Sequence, residues 1–331
     1  MNAIPPPLMD LYQRRFTYLR LSVTDQCNFR CNYCLPDGYC AETSAQDPFL
    51  SPDEIKNLVK SFALLGTKKI RITGGEPTLR KDLAEIIGIC KQTPGIETVA
   101  LTTNAYNLPK QLDSYVDAGL DTLNISADSL RPESFHLITG HDKLEKVLTS
   151  IDLAQQLGIN SIKVNAVLMK EYNYGEWQSF LDFVKHTPIT LRFIELMRTN
   201  DNADFFGAQH VSGEVLQTRL KNDGWSPIIR DKHAGPAKEF THPDYAGNIG
   251  LIMPYSKDFC NSCNRLRVSA EGNLHLCLFA DENTSLRHKL LTESAENIAE
   301  YIQTTVLGKN ATHQLHLGKS GSTQHLAMLG G

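Results

Sequence analysis

Hydrophobic and polar positions alternate along this chain in a regular rhythm of short strands and amphipathic helices. Six runs read as strands: TYLRLSVT (17–24), KKIRITG (68–74), TVALTTN (98–104), TLNISAD (122–128), IKVNAVLM (162–169) and TLRFIEL (190–196). Most are followed by a helical period. The clearest helix is predicted over 52–65, where Ser51 and Glu54 make a capping-box pattern and Pro52 takes the first helical position. Ile55, Leu58, Val59, Phe62 and Leu65 line one face of it, and Gly66 ends it. Similar faces are Leu83/Ile86/Ile87/Cys90, Leu112/Tyr115/Val116, Leu144/Val147/Leu148/Ile151 and Trp177/Phe180/Leu181/Val184. Strands that alternate with helices pair in parallel through helical crossovers. Six units fall short of a full eight-fold barrel. The expected fold is therefore α/β, a partial (β/α)6 TIM-type barrel, with an open doubly wound sheet as the alternative.

Strand parity says more. Successive side chains point to opposite faces. Leu19, Leu21, Val23, Ile70, Ile72, Leu123, Ile125, Ile162, Val164, Leu191 and Phe193 share one parity and are predicted to pack against the helices. The other parity carries Arg20, Ser22, Thr24, Lys69, Arg71, Thr73, Thr102, Asn104, Asn124, Ser126, Asp128, Lys163, Asn165 and Arg192. Val, Ile and Leu fill this inner face in an ordinary small barrel. Here it is polar, with five cations and one clear acid, Asp128. Burying unpaired cations costs roughly several kcal/mol each. The pattern predicts an enclosed site for a polyanionic ligand. The alternative is that these cations pair with acids from elsewhere or lie at exposed strand ends.

From about residue 230 the rhythm breaks. RDKHAGPAKEF and THPDYAGNIG are irregular and rich in glycine and proline, LIMPYS is a short strand, and LRVSAEGNLHLCLF reads as a hairpin turning at Glu271-Gly272-Asn273. The chain divides into a barrel region, 1–230, and an irregular, hairpin-containing C-terminal region, 231–331. A length of 331 residues with 41% hydrophobic and 21% charged content supports a large ordered core. The net charge of −4 argues against a chain-wide nucleic-acid footprint. No run resembles a signal peptide or a membrane span. A cytoplasmic protein with neither a nucleic-acid nor a membrane partner is expected.

Eight cysteines in a reducing compartment point to metal chemistry more than to disulfides. Cys27, Cys31 and Cys34 form C-x3-C-x2-C directly after the first strand, at the mouth where such barrels keep their chemistry. With no fourth Cys or His nearby, the spacing suits a [4Fe–4S] cluster with one open iron better than a zinc knuckle borrowing a distant His. Cys260, Cys263 and Cys277 form a second triplet across the predicted hairpin. From spacing alone a structural Cys3His zinc site with His275 competes there with a second cluster. Cys90 lies on the apolar face of its helix and reads as core, and Cys40 reads as a non-ligand in a loop.

C-x3-C-x2-C with an aromatic before its last cysteine, here Tyr33, resembles the radical S-adenosylmethionine enzymes. ITGGEPTLR (72–80) is similar to the glycine-rich methionine-binding motif of that superfamily. LRLSVTDQCNFRCNYC, KKIRITGGEP, LTTN, NISADSL, KVNAV, RFIEL, FCNSCNRLRVSAEGNL, CLF and the final GG follow in order over nearly the whole chain. Together they resemble the branch that cyclises GTP at the first step of molybdenum-cofactor biosynthesis. Leu35-Pro36, Ala127 and the weakly basic HLGKSGSTQHLA depart from that pattern.

The resemblance implies two [4Fe–4S] clusters, the second held by Cys260, Cys263 and Cys277 in the C-terminal region. It implies reductive cleavage of S-adenosylmethionine, hydrogen abstraction from C3′ of GTP and closure of C3′ onto C8 of guanine. The carry-over assigns Tyr33, Gly75, Ser126 and Met197 to S-adenosylmethionine. Arg20, Lys69, Arg71, Thr102, Lys163 and Arg192 would hold the triphosphate, and Arg265, Leu266 and Arg267 would meet the substrate beside the second cluster. Arg20, Arg265 and Arg267 are the candidates for a direct part in turnover, and AMLGG reads as a tail that reaches the site. An external electron donor and a downstream cyclic pyranopterin synthase are the implied partners, and a monomer or homodimer is expected. The rival reading within the superfamily is a peptide-modifying enzyme with an auxiliary cluster.

Overall fold

The computed structural model describes residues 7–39, 49–229 and 235–330. Cys40, the boundary placed at 230/231 and Gly331 lie outside them. All six predicted strands form within two residues of their expected ends: β1 (Tyr18–Ser22), β2 (Lys69–Thr73), β3 (Thr98–Thr103), β4 (Thr122–Ser126), β5 (Ser161–Leu168) and β6 (Thr190–Glu195). Between them run α1 (Pro52–Leu64), α2 (Leu83–Gln92), α3 (Leu112–Asp117), α4 (Pro132–Thr139), α5 (Leu144–Gln156) and α6 (Trp177–His186). The capping box of α1 is present. The Glu54 amide donates to Ser51 Oγ at 3.3 Å, and the Ser51 amide donates to Glu54 Oε2 at 2.8 Å.

Beyond β6 the chain adds α7 (Ala203–Gln209), α8 (Gly213–Asn222), β7 (Ser226–Pro227), β8 (Lys238–Thr241) and β9 (Asn248–Ile252). The hairpin of β10 (Arg265–Val268) and β11 (Asn273–His275) follows, then β12 (Thr284–Ser285), α9 (Arg287–Thr292) and α10 (Ala295–Val306). The six-unit expectation is extended here. β9 pairs in parallel with β6, and β10 pairs in parallel with β1. The sheet order is β12-β11-β10-β1-β2-β3-β4-β5-β6-β9-β8-β7, so eight parallel strands are flanked by antiparallel ones. β7 and β12 are its edges, and among the described residues no strand pairing closes it. LIMPYS and LRVSAEGNLHLCLF read as a strand and a hairpin in the sequence, but their parallel pairing was not foreseen, because neither β9 nor β10 precedes a βα crossover.

Parity holds. Leu19, Leu21, Ile70, Ile72, Leu123, Ile125, Ile162, Val164, Leu191 and Phe193 are all buried in one core under the helices. The registers bring Arg267, Arg20 and Arg71 side by side on the opposite face, with Arg265, Tyr18 and Lys69 in the row below. Among the described residues no helix is long and apolar enough to cross a membrane.

One buried ion pair ties the N-terminal segment to the far end of the chain. Arg14 Nε donates to Asp10 Oδ2 at 2.6 Å, Nη1 to the Ala311 carbonyl at 2.6 Å and Nη2 to the Asn310 carbonyl at 2.6 Å. Removing one partner of a buried pair strands the other charge. Arg14→Leu is therefore expected to lower the unfolding free energy by about 3–5 kcal/mol in urea denaturation. A loss below ~1 kcal/mol would show that water reaches Asp10.

Candidate active site

Cys27, Cys31 and Cys34 occupy the loop that leaves β1. The Cys34 amide donates to the Cys31 carbonyl at 2.9 Å, and the Phe29 amide approaches Cys27 Sγ at 3.5 Å. The loop after β2 is locked against this one. The Gly75 amide donates to the Thr24 carbonyl at 2.8 Å, and the Glu76 amide to the Gln26 carbonyl at 2.7 Å. A Cβ on Gly75 would collide with the Asp25 and Gln26 carbonyls, so close chain approach is what requires glycine there. Glu76 is buried and accepts hydrogen bonds from Thr78, Thr103 Oγ1 and the Asn104 amide, joining the β2 and β3 loops.

The three cysteines line a cavity of about 130 Å³ with Tyr33, Gly75, Thr102, Ser126, Asp128 and Met197. Tyr33 holds its place by donating to Asp128 Oδ2 at 3.0 Å. Burial pushes the Cys27 thiol up to about 11 and Cys34 to about 12, and holds Cys31 well above the ordinary thiol value. Thiols so placed are poor nucleophiles and become thiolates when a metal takes the proton's place.

The second triplet lines a larger cavity of about 520 Å³. The Cys263 amide donates to the Cys260 carbonyl at 3.1 Å in a tight turn, and Cys277 lies just past β11. Burial opposes ionisation of Cys260, yet hydrogen bonds and charge from His313 outweigh it and bring it to about 7. Burial is likewise outweighed at Cys263 by Arg265 and Lys309, which lower it. His275 is buried opposite Arg267 on the neighbouring strand, lowered to about 4 by burial and then by that arginine. The histidine that lines the cavity is His313, and both its nitrogens are engaged, Nε2 with the Pro254 carbonyl at 2.9 Å and Nδ1 with the Leu315 amide at 3.3 Å. Neither histidine offers a ready fourth zinc ligand. Among the described residues no three His, Cys, Asp or Glu side chains converge as they would on a single ion. Three thiols without a protein fourth fit a four-iron cube with one corner open.

Arg20, Arg71, Arg192, Arg265 and Arg267 line this larger cavity. Arg20, Arg71 and Arg192 are 9%, 8% and 5% exposed. Burial, then Arg267, holds Arg20 well below the usual guanidinium value, and burial, then Arg265, brings Arg267 to about 10. Arg192 pairs with Glu239 Oε1 on β8 at 3.0 Å, so one inner cation does find an acid from elsewhere. The Nε atoms of Arg71 and Arg192 are buried without a partner among the described residues.

The remaining predicted residues sit differently. Lys69 and Lys163 lie off the cavity wall, nearer the N-terminal ends of their strands, with Lys69 Nζ 5.4 Å from the Tyr18 ring centroid and Lys163 Nζ 2.6 Å from Ser161 Oγ. Burial and then Arg192 bring Lys163 down to about 7. Thr102 lines the smaller cavity beside Ser126. Leu266 faces the core and offers only its backbone to a ligand. Arg14 and Lys309 also line the larger cavity, and the sequence pattern missed both because they lie outside strands.

The segment ending at Gly330 enters the site. Arg267 Nη1 donates to the Leu329 and Gly330 carbonyls at 3.2 Å each, and Arg20 Nη2 donates to the Gly330 carbonyl. Leu326 and Leu329 pack with Met197, Leu278 and Phe279, against Tyr33 and Cys34. The charges that dock it come from the barrel, not from the segment, which explains its weakly basic composition; its own contacts are neutral, with the Ser322 amide bonding the Ala280 carbonyl at 3.0 Å and Ser320 Oγ bonding Asn200 Oδ1 at 2.8 Å. Gly330 has φ +60°, and a Cβ there would collide with the Thr73 side chain. Gly330→Ala is expected to displace the segment and cut turnover by at least about 100-fold, the cost of two charge-assisted hydrogen bonds, with thermal unfolding nearly unchanged. Full turnover in that variant would show that the segment plays no part.

Comparison with known proteins agrees with this geometry. Residues 21–184 match the family model described as Radical SAM superfamily, and residues 189–315 match Molybdenum Cofactor Synthesis C. The GTP 3′,8-cyclase of Vibrio parahaemolyticus is 52% identical over 97% of each chain, and that of Haemophilus ducreyi is 52% identical over 100% of each. Among solved structures, Streptococcus suis SuiB bound to S-adenosylmethionine aligns with TM-score 0.62 at 13% identity, covering 88% of this chain and 67% of that one. A structure titled native anSMEcpe with bound AdoMet aligns at 0.54 and 14%, covering 87% and 84%. At these identities the structural likeness establishes the fold alone. Near-complete coverage at half identity establishes more, and the chain belongs to the GTP 3′,8-cyclase family of radical S-adenosylmethionine enzymes.

Proposed function

We propose that the smaller cavity takes S-adenosylmethionine beside Cys27, Cys31 and Cys34, and that the larger takes GTP beside Cys260, Cys263 and Cys277. One observation carries this reading: the two cavities adjoin, sharing Asn165, Ile194 and Met197, and the larger is walled by six arginines, Arg14 among them. Iron–sulfur clusters bound at the two triplets, fed by an external donor, would supply the electron for reductive cleavage and a second anchoring point for the purine.

The residues do the rest. Arg20, Arg71 and Arg192 hold the triphosphate, with Lys69 and Lys163 strengthening the field from behind. An arriving polyanion offsets the burial and mutual repulsion that hold Arg20, Arg192 and Lys163 below their ordinary values. Arg265 and Arg267 turn the guanosine toward the second triplet, with the Leu266 backbone beside them. Ser126, Met197, Tyr33 and Gly75 seat the S-adenosylmethionine, and Thr102 serves it as well as the nucleotide from the smaller cavity. The apolar rim of Leu326, Leu329 and Met197 keeps water from the junction. Closure of C3′ onto C8 then gives the 3′,8-cyclised nucleotide that a cyclic pyranopterin synthase would consume. A peptide-modifying activity, the other reading, gives no reason for six guanidinia around one cavity.

The test is anaerobic turnover of the reconstituted, reduced protein with S-adenosylmethionine and GTP. 5′-Deoxyadenosine and cyclised nucleotide are expected in equal amounts. Formation of 5′-deoxyadenosine no faster with GTP than without it would overturn the substrate assignment.

A further inference from the structure

One side chain at the junction of the cavities has no role so far. Asn165 lines both of them, and its neighbours in register are Ser126 on β4 and Arg192 on β6. It therefore stands between the serine of the smaller cavity and the arginine of the larger. The other two shared residues, Ile194 and Met197, are hydrophobic, so Asn165 is the polar group of the junction. Its Oδ1 is buried and has no hydrogen-bond partner among the described residues. A buried amide oxygen without a partner is costly, and a ligand that brings one removes the cost.

Asn124 is the nearest competitor, since its Oδ1 also lacks a partner. Its Nδ2 already donates to the Leu101 carbonyl at 3.1 Å, and it lines neither cavity. Asn165 has its amide directed at the place where two ligands must meet. A carboxamide presents an acceptor and a donor side by side, which matches the two hydroxyls of a vicinal diol.

We propose that Asn165 holds the 2′- and 3′-hydroxyls of the nucleotide's ribose, Oδ1 accepting from one and Nδ2 donating to the other. The grip turns the C3′–H toward the smaller cavity, and it makes the protein selective for ribonucleotides. This rests on the placement of GTP proposed above.

The test measures equilibrium binding of GTP, 2′-deoxy-GTP and 3′-deoxy-GTP to the cluster-loaded, unreduced protein in the presence of S-adenosylmethionine. The native protein is expected to bind each deoxy analogue about 10-fold more weakly than GTP, the worth of one hydrogen bond to a buried group. In Asn165→Ala and in Asn165→Leu, which keeps the volume, that ratio is expected to fall to within about 2-fold while GTP itself weakens up to about 100-fold, the loss of both hydrogen bonds. Under reducing conditions both variants should release more 5′-deoxyadenosine than cyclised nucleotide, because C3′ is no longer aimed. Undiminished discrimination in both variants would overturn the proposal. So would a native protein that binds GTP without distinguishing the analogues. A native protein that binds no GTP takes down the substrate placement instead, and this inference with it.

Discussion

Cys263→Ala is expected to leave cleavage of S-adenosylmethionine intact and to stop formation of cyclised nucleotide. The two triplets open onto different cavities, so each substitution removes one function. Iron content should fall from about eight to about four per chain, the loss of one four-iron cluster. Cys31→Ala is expected to lose the same amount of iron, and with it all formation of 5′-deoxyadenosine. The hydrophobic surroundings of Cys31, whose thiol burial holds far above its ordinary value, leave little chance that hydroxide or a buffer ligand replaces it. Iron analysis, and 5′-deoxyadenosine measured with and without GTP, separate the variants. Stoichiometric zinc at Cys260, Cys263 and Cys277 in the native protein would sink this assignment, and normal cyclisation by Cys263→Ala would do the same.

Arg71→Leu is expected to weaken GTP binding by about 10–100-fold, with both clusters retained and thermal stability in the absence of GTP undiminished. A charge-assisted hydrogen bond to phosphate contributes about 1.5–3 kcal/mol, which sets that range. Stability behaves differently because Arg71 is buried beside Arg20 and makes no ion pair among the described residues. In the empty protein Arg71 is buried among other guanidinia without a carboxylate partner among the described residues, and an anion supplies that partner. Leucine keeps much of the packing without the charge. GTP affinity by equilibrium dialysis and melting curves with and without GTP read the two effects separately. A variant that melts several degrees lower without GTP would show that Arg71 is structural, and unchanged affinity would remove it from the phosphate site. Arg265 and Arg267 should behave otherwise, with alanine at either position slowing cyclisation more than it weakens binding.

Local periodicity carried a large part of this fold. Alternation in KKIRITG or TLRFIEL decides which face each residue takes, because a one-residue slip would expose Ile70 and Ile72 and bury the cations on the wrong side. Cysteine spacing is equally local, and both triplets were legible for that reason. Long-range pairing was not. Nothing in RLRV says that it lies beside YLRLS, so the adjacency of Arg20 and Arg267 emerges only in the sheet. The rank of the cations was hidden as well. Parity places Lys69 and Lys163 on the inner face, but depth along the strand decides whether a side chain meets the cavity, and those two fall below it. Arg14 and Lys309 reach the site from irregular segments whose course depends on tertiary contacts, which no pattern records.

The pairing of β1 with β10 has a consequence for how the molecule assembles. Arg20 and Arg267 are partners across 247 positions of sequence, an extreme non-local contact. Topology of this kind slows folding, because loop-closure entropy is lost before the contact rewards it. Until β10 arrives, β1 is an edge strand with unpaired backbone groups, a template for association with other chains. The arrival of β10 adds Arg265 and Arg267 to guanidinia already crowded between β1 and β2, so its docking works against like charges that the proposed substrate would neutralise. Polyphosphate or GTP present during refolding is therefore expected to speed the pairing of β10 with β1, an anion acting on the assembly of the protein and not only on the finished site.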